Sequence, residues 1–129
     1  MKSRRICWTV VMLLGLSACE EPHRPLPEGF GSAEARASGR ALFLEHCAIC
    51  HGEAADGHGQ RRQSLSGRPA DFTDPSWSER TPPGRAFEIV RGGVPGTSMP
   101  AWKIFDEAQI WDLVSYLHSV AAQGAEVAP

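Results

Sequence analysis

Five consecutive residues, Cys47-Ala48-Ile49-Cys50-His51, constrain this chain more than anything else in it. The spacing C-x-x-C-H is that of covalent haem attachment. In that chemistry each cysteine thiol forms a thioether with a haem vinyl group, and the histidine that follows is held beside the iron as an axial ligand. A chain of this kind must fold around a broad apolar ring stapled to one short segment. The expectation is a single haem c bonded through Cys47 and Cys50, with His51 on the iron.

C-x-x-C by itself has two other readings. A thioredoxin-like redox pair normally follows a β-strand in an α/β sheet. Here the preceding stretch, Ala33 to His46, is Ala-rich and free of β-branched residues. A zinc site needs about four ligands, usually with a second Cys or His pair. His58 and His118 offer nitrogen, but neither stands at the expected spacing. The histidine directly after the second cysteine and an export signal upstream favour haem.

That signal occupies the N-terminus. Lys2, Arg4 and Arg5 precede a short apolar run containing Trp8, Val10, Val11, Met12, Leu13, Leu14 and Leu16. A retained bilayer-spanning helix needs about 20 apolar residues, more than this run supplies. The run ends in Leu16-Ser17-Ala18-Cys19, which resembles the lipobox of bacterial lipoproteins. That resemblance implies cleavage before Cys19 and lipid on its sulfur and new N-terminus; an ordinary secretory signal is the alternative. Several acyl chains anchor a protein stably where one binds only marginally. The expected location is the periplasmic side of a bacterial membrane, inner or outer. With Cys7 in the signal, Cys19 lipidated, and Cys47 and Cys50 on haem, no thiol remains for a disulfide.

The expected organisation is a lipoprotein signal peptide over 1–18, a lipidated cysteine and flexible tether over 19–32, one domain over 33–122 and a disordered tail over 123–129. Pro, Gly and charge in EEPHRPLPEGFGS motivate the tether. Without residues 1–18 the chain has 10 Lys and Arg against 15 Asp and Glu, counted from the sequence, and is acidic by five. No basic stripe points to nucleic acid. An acidic surface suits basic or mixed partner patches, with salt-dependent association.

The domain reads as all-α, with three to four helices around the haem. The first helix runs from about Ala33 to Cys47, with Ala37, Ala41, Phe43 and Leu44 on or near one face. The second begins at Thr81 as N-cap, with Pro82 at the first helical position, and ends at Gly92-Gly93. The third is capped by Asp106, with Gln109 completing a capping box. Ile110, Leu113, Val114, Leu117 and Ala121 then recur at helical spacing. Residues 52–83 read as loop.

The sixth iron ligand decides whether haem carries electrons or binds small molecules. Met99 is the candidate, because Met1 and Met12 belong to the signal and Met99 stands in the turn-forming stretch Gly96-Thr97-Ser98-Met99-Pro100. Methionine also fills cores. His46, His58 and His118 are alternative ligands, although each reads as a solvated or helix-surface group. Trp77 and Trp111 read as core, and Trp102 either packs or donates its indole N–H to a haem propionate.

These residues together resemble a class I c-type cytochrome of the bacterial mono-haem kind, over about residues 38–122. Gly39 and Phe43 stand where the family's N-terminal helix has them, and Asp112-Leu113-Val114-Ser115-Tyr116-Leu117 resembles its C-terminal helix. Leu113 and Tyr116 would then meet Gly39 and Phe43 where the two helices cross. Gly-x-x-Met-Pro is similar to the family's methionine loop. The resemblance also implies that the backbone carbonyl of Pro69 receives the His51 ring proton. It implies one-electron transfer between protein redox partners, with no substrate transformed. Two alternatives stay open: an electron-entry subunit of an oxidoreductase complex, and a ligand-binding or catalytic haem protein with labile Met99.

Overall fold

The computed structural model describes residues 24–127. The expected signal peptide, Cys7, Cys19 and the start of the tether through His23 lie outside the described residues, as do residues 128–129. Among those described there are helices and turns and no strand. The helices are α1 (Ala33–His46), α2 (Ala48–His51), α3 (Pro75–Arg80), α4 (Pro83–Gly92) and α5 (Glu107–Val127), with one 3-10 turn at Arg62–Ser64. The all-α reading holds, with two short helices more than the three segments read from the sequence.

The ends of α1 and α5 follow local chemistry. The Ser32 hydroxyl accepts from the Ala35 amide and caps α1. At α5 the capping box forms as expected: the Gln109 N–H donates to Asp106 Oδ1 at 2.8 Å, and the Asp106 N–H donates to Gln109 Oε1 at 3.0 Å. The second expected helix starts one residue later than predicted. Thr81 closes α3, donating its N–H to the Trp77 carbonyl, so Pro83 opens α4 instead of Pro82. α3 itself carries a cap signature, Asp74 followed by Pro75, with the Ser76 N–H donating to Asp74 Oδ1 at 2.9 Å.

α5 is the spine against which α1, α3 and α4 pack. Its Ile110, Leu113, Val114, Leu117 and Ala121 are all buried, as their spacing predicts. α1 crosses it at Gly39, where a Cβ would overlap the Asp112 carbonyl oxygen. Backbones approach that closely only without a side chain. One turn on, fully buried Phe43 meets the Tyr116 ring at a centroid distance of 5.3 Å. The apolar face of α1 differs from the expected one. Gly39 and Phe43 are buried and Leu42 is half-buried, whereas Ala37, Ala41 and Leu44 are exposed. Alanine frequency misleads here because alanine favours helix on any face.

Two expected flexible segments are packed. Arg24 lies 4.2 Å over the Phe87 ring, and its guanidinium donates twice to Glu88 Oε1, at 3.0 and 2.7 Å. Phe30 sets its edge against Trp111 at 5.7 Å, and the Gly31 N–H donates to the Ser115 hydroxyl at 3.1 Å. Residues 24–32 are therefore not a free tether: one cation and one aromatic ring find partners far along the chain. The expected disordered tail is also shortened, because α5 continues to Val127. Gly124 permits this by passing against the Thr73 carbonyl, where a Cβ would collide.

His118 is likewise not on an exposed face. Its ring packs on Trp77 at 5.1 Å, and Nε2 is buried without a hydrogen-bond partner. Burial pushes its pKa below the usual 6.5, partly opposed by a hydrogen bond to the Thr81 backbone. The unfolded chain then binds a proton that the folded chain excludes, so stability held above 6.5 is lost as pH falls. His118→Phe keeps the ring contacts and should flatten the decline in denaturation midpoint between about pH 7 and pH 5.

The helix crossing gives a second test. Gly92 ends α4 with no atom within 4 Å of a built Cβ, so Gly92→Ala should be neutral or stabilising by up to about 1 kcal/mol. Gly39→Ala should destabilise by about 2–3 kcal/mol despite the same gain in helix propensity. Denaturant melts should therefore show a lowered midpoint for Gly39→Ala and an unchanged or raised one for Gly92→Ala.

Candidate functional site

Cys47 ends α1, and the chain turns directly into α2, whose four residues include Cys50 and His51. The Cys47 carbonyl accepts from both the Cys50 and His51 amides, at 3.1 and 2.9 Å, so the pentapeptide is wound as one helical turn. The following loop folds back over it: the Gly59 N–H donates to the Cys50 carbonyl, and the Arg61 N–H donates to the Ile49 carbonyl. At Gly59 a Cβ would overlap the Cys50 backbone, so this residue must be glycine for the loop to close.

The cleft above this turn is lined by Cys47, Cys50 and His51 on one segment and by Met99 on another. Phe43, Phe72, Val90, Leu113 and Leu117 supply apolar wall from three helices and a loop. The four residues singled out as haem contacts thus border one cavity. Neither His58, which is exposed beside Asp56, nor His118 lines it. His46 does, and is no simple surface residue: its ring packs on Phe105 at 5.2 Å and Trp102 at 5.7 Å. Zinc gains no support, since the described residues contain no group of three or more His, Cys, Asp or Glu able to hold a metal.

His51 is oriented by its backbone partner. Nδ1 lies 3.2 Å from the Ala70 carbonyl oxygen, so the tautomer with hydrogen on Nδ1 donates there and leaves Nε2 for a metal. The acceptor is Ala70 and not the expected Pro69, one residue earlier. Successive carbonyls in an irregular extended stretch point to different sides, and only the fold of the preceding loop decides which meets the ring. Pro69 still borders the cleft. The Phe72 N–H donates to the Ala55 carbonyl at 2.8 Å, pinning that stretch, and the Phe72 ring lies 4.9 Å from the imidazole. Burial lowers the His51 pKa, with the Ala70 bond opposing, and so favours the neutral ring that a metal requires. The Cys47 thiol is pushed up to about 12, by burial first and by Cys50 second. Such a thiol is a poor nucleophile, unlike a catalytic redox cysteine.

Met99 is held by a compact hydrogen-bonded loop. Its N–H donates to the Thr97 hydroxyl at 3.1 Å, and its carbonyl accepts from the Val94 N–H at 3.1 Å. Ser98 is tied to Ser66 of another loop: the Ser98 N–H donates to the Ser66 carbonyl, and the Ser66 N–H donates to the Ser98 hydroxyl. Nothing local in the sequence marks that pairing of two loops. Trp102 follows, with its N–H bonded to the Val90 carbonyl and its ring stacked on Phe105 at 5.4 Å.

The indole Nε1 of Trp102 is buried in the cleft wall and has no protein partner. A buried unpaired N–H costs about 1–3 kcal/mol. The apolar walls, the paired thiols and the neutral imidazole suit the ring, its vinyl groups and its iron. The residues present fit haem c.

Comparison with known proteins agrees. Residues 34–117 match the family described as cytochrome C oxidase, cbb3-type, subunit III. The chain belongs to this family. Two solved structures are similar at 27% identity over 64% of the chain. One is the Kuenenia stuttgartiensis reducing HAO-like protein complex Kustc0457/Kustc0458, with a TM-score of 0.55. The other is the KustC0563 c-type cytochrome, with a TM-score of 0.54. The match spans 41% of the first of those chains and 95% of the second. The fold is that of a small all-α cytochrome c, with covalent haem c as the group that carries electrons.

The Trp102 N–H makes a signed prediction. Donation to a haem propionate would make Trp102→Phe destabilise the haem-loaded protein by about 1.5–3 kcal/mol, the contribution of a hydrogen bond to a charged group. An unpaired N–H would instead make the substitution neutral or stabilising. Denaturant melts monitored by haem absorbance separate the two.

Proposed function

We propose that this cytochrome is a one-electron carrier in which a single haem c is bonded through Cys47 and Cys50, with His51 and Met99 as axial ligands. The observation that carries this reading is that both candidate ligands border the cleft into which the paired cysteines open, and Met99 is the only methionine among the described residues. When bound, haem iron supplies one reversible electron by cycling between its ferric and ferrous forms.

The chain's residues set the conditions for that cycle. Ala70 orients the His51 ring and raises its basicity. The Ser66–Ser98 and Thr97 bonds hold the Met99 loop closed, so little rearrangement accompanies each electron. A thioether ligand favours reduced iron and raises the potential relative to a second histidine. Phe43, Phe72 and Leu113 exclude water.

The export reading belongs to the same proposal. Residues 1–18 act as a lipoprotein signal, and lipidated Cys19 anchors the protein on the periplasmic side of a bacterial membrane. No described helix is long and apolar enough to cross a membrane. A second reading, an electron-entry subunit of a larger oxidoreductase, draws on the family's description as an oxidase subunit and on the redox complex to which one similar structure belongs. Purification of a stable larger complex under mild detergent would favour it.

Spectroscopy of the oxidised protein tests the ligation. The weak sulfur-to-iron charge-transfer band should be present and should vanish in Met99→Ala, whose reduced form should gain carbon monoxide binding at neutral pH and whose potential should fall. A band absent from the unmutated protein would refute Met99 ligation. Replacing both Cys47 and Cys50 with alanine should abolish haem staining after denaturing electrophoresis.

A further inference from the structure

We propose that residues Arg24 to Ser32 form a docked strap that holds the domain in one orientation against the lipid surface carrying its anchor, with the cleft turned away from that surface. This rests on the lipid anchor at Cys19 put forward above.

The strap is fastened at both ends. At its start, Arg24 lies over the Phe87 ring at 4.2 Å, donates twice to Glu88, and stands 3.6 Å from Glu107. Glu107 also receives Arg91 at 3.0 Å, so two arginines and two carboxylates join α4 to the beginning of α5. At its end, Phe30 rests on Trp111, and the Gly31 N–H is bonded to the buried Ser115 hydroxyl. An aromatic ring under a guanidinium and a forked contact to one carboxylate are more than a passing surface ion pair.

Docking changes the reach of the anchor. If residues 19–32 were free, thirteen residue steps would let the domain roam up to about 47 Å from Cys19. With the chain fastened at Arg24, five steps remain, which span about 18 Å at most in any conformation. This short reach favours placing the lipid surface next to the side of α4 that carries Gly84, Phe87 and Glu88, where Arg24 sits. The opposite side of the same helix, with Ala86, Ile89 and Val90, lines the cleft. α4 thus stands between the strap and the cleft.

Charge fits the same placement. The mature chain is acidic by five, which an anionic leaflet repels, but the four-residue cluster at Arg24 is neutral by pairing. This side approaches the headgroups without that penalty. A redox partner then meets the cleft from the solvent side and not along the lipid plane.

The test uses full-length, haem-loaded protein on vesicles containing an energy-transfer acceptor among the headgroups. A dye is placed at Ala108→Cys, exposed on α5 beside Glu107, or at Gln63→Cys, exposed on the 3-10 turn beside the cleft. Transfer measured against acceptor-free vesicles should be much greater from position 108 than from position 63. A long Gly/Ser linker inserted between His23 and Arg24, which leaves the strap docked, should remove the difference. Arg24→Ala combined with Phe30→Ala should do the same by releasing the strap. Equal transfer from the two positions in the otherwise unaltered protein would overturn the strap proposal, as would a difference that survives the linker. Failure to find acyl chains on Cys19 by mass spectrometry would instead overturn the anchor on which the proposal rests.

Discussion

The structure depends on one close contact between two backbones, Gly39 of α1 against the Asp112 carbonyl of α5. The missing side chain brings the helices near enough for Phe43 to reach Tyr116 and Phe72, at 5.3 and 6.1 Å. Phe43 also stands four residues before Cys47, so the crossing sets the height at which the pentapeptide enters the cleft. α5 presents Leu113 and Leu117 to the same space. A change in the interhelical distance would move the cysteines and the opposite wall together. The site is an outcome of helix packing as much as of the residues named as its ligands.

What could be read from the sequence divides along a physical line. Local signals were legible: the capping box at Asp106 and Gln109, the helical spacing from Ile110 to Ala121, and the C-x-x-C-H turn. α3 was legible in principle, since Asp74-Pro75 is a cap followed by proline, but its six residues fell below the length at which apolar periodicity shows. Contacts between distant segments were not legible. Arg24 carries no mark that it will find Glu88, 64 positions away, and its Pro- and Gly-rich surroundings read as tether. Likewise Ser66 and Ser98, 32 positions apart, are ordinary loop serines until two loops meet. The Ala70 carbonyl was missed by one residue because a backbone acceptor has no side-chain identity to read.

The two candidate ligands are held by different means. His51 sits on a helical turn continuous with α1, and its ring is steered by a backbone carbonyl and flanked by Phe72. Met99 sits on an irregular loop with no helical backbone to stiffen it. Its rigidity comes from backbone bonds between Val94 and Met99 and between Ser98 and Ser66, and from the Thr97 and Ser98 hydroxyls bonding backbone groups. Each such bond contributes on the order of 1 kcal/mol, much less than a packed helix. Any loosening of the site therefore begins on the methionine side. On the ligation proposed above, that asymmetry puts the more easily released ligand on the loop and the more firmly held one on the helical turn.

On the proposed attachment the cleft becomes part of the core. The loop from Gly52 to Gly59 closes over the pentapeptide, and Gly59 lies directly against Cys50, so the fold holds Cys47 and Cys50 at the edge of the cleft. The domain has about a hundred residues, a size at which side chains alone give a marginal core. Phe43, Phe72, Leu113 and Leu117 line the cleft, and an apolar ring held there by the two cysteines would give those side chains a packing partner. Packing is then completed by what the cysteines attach.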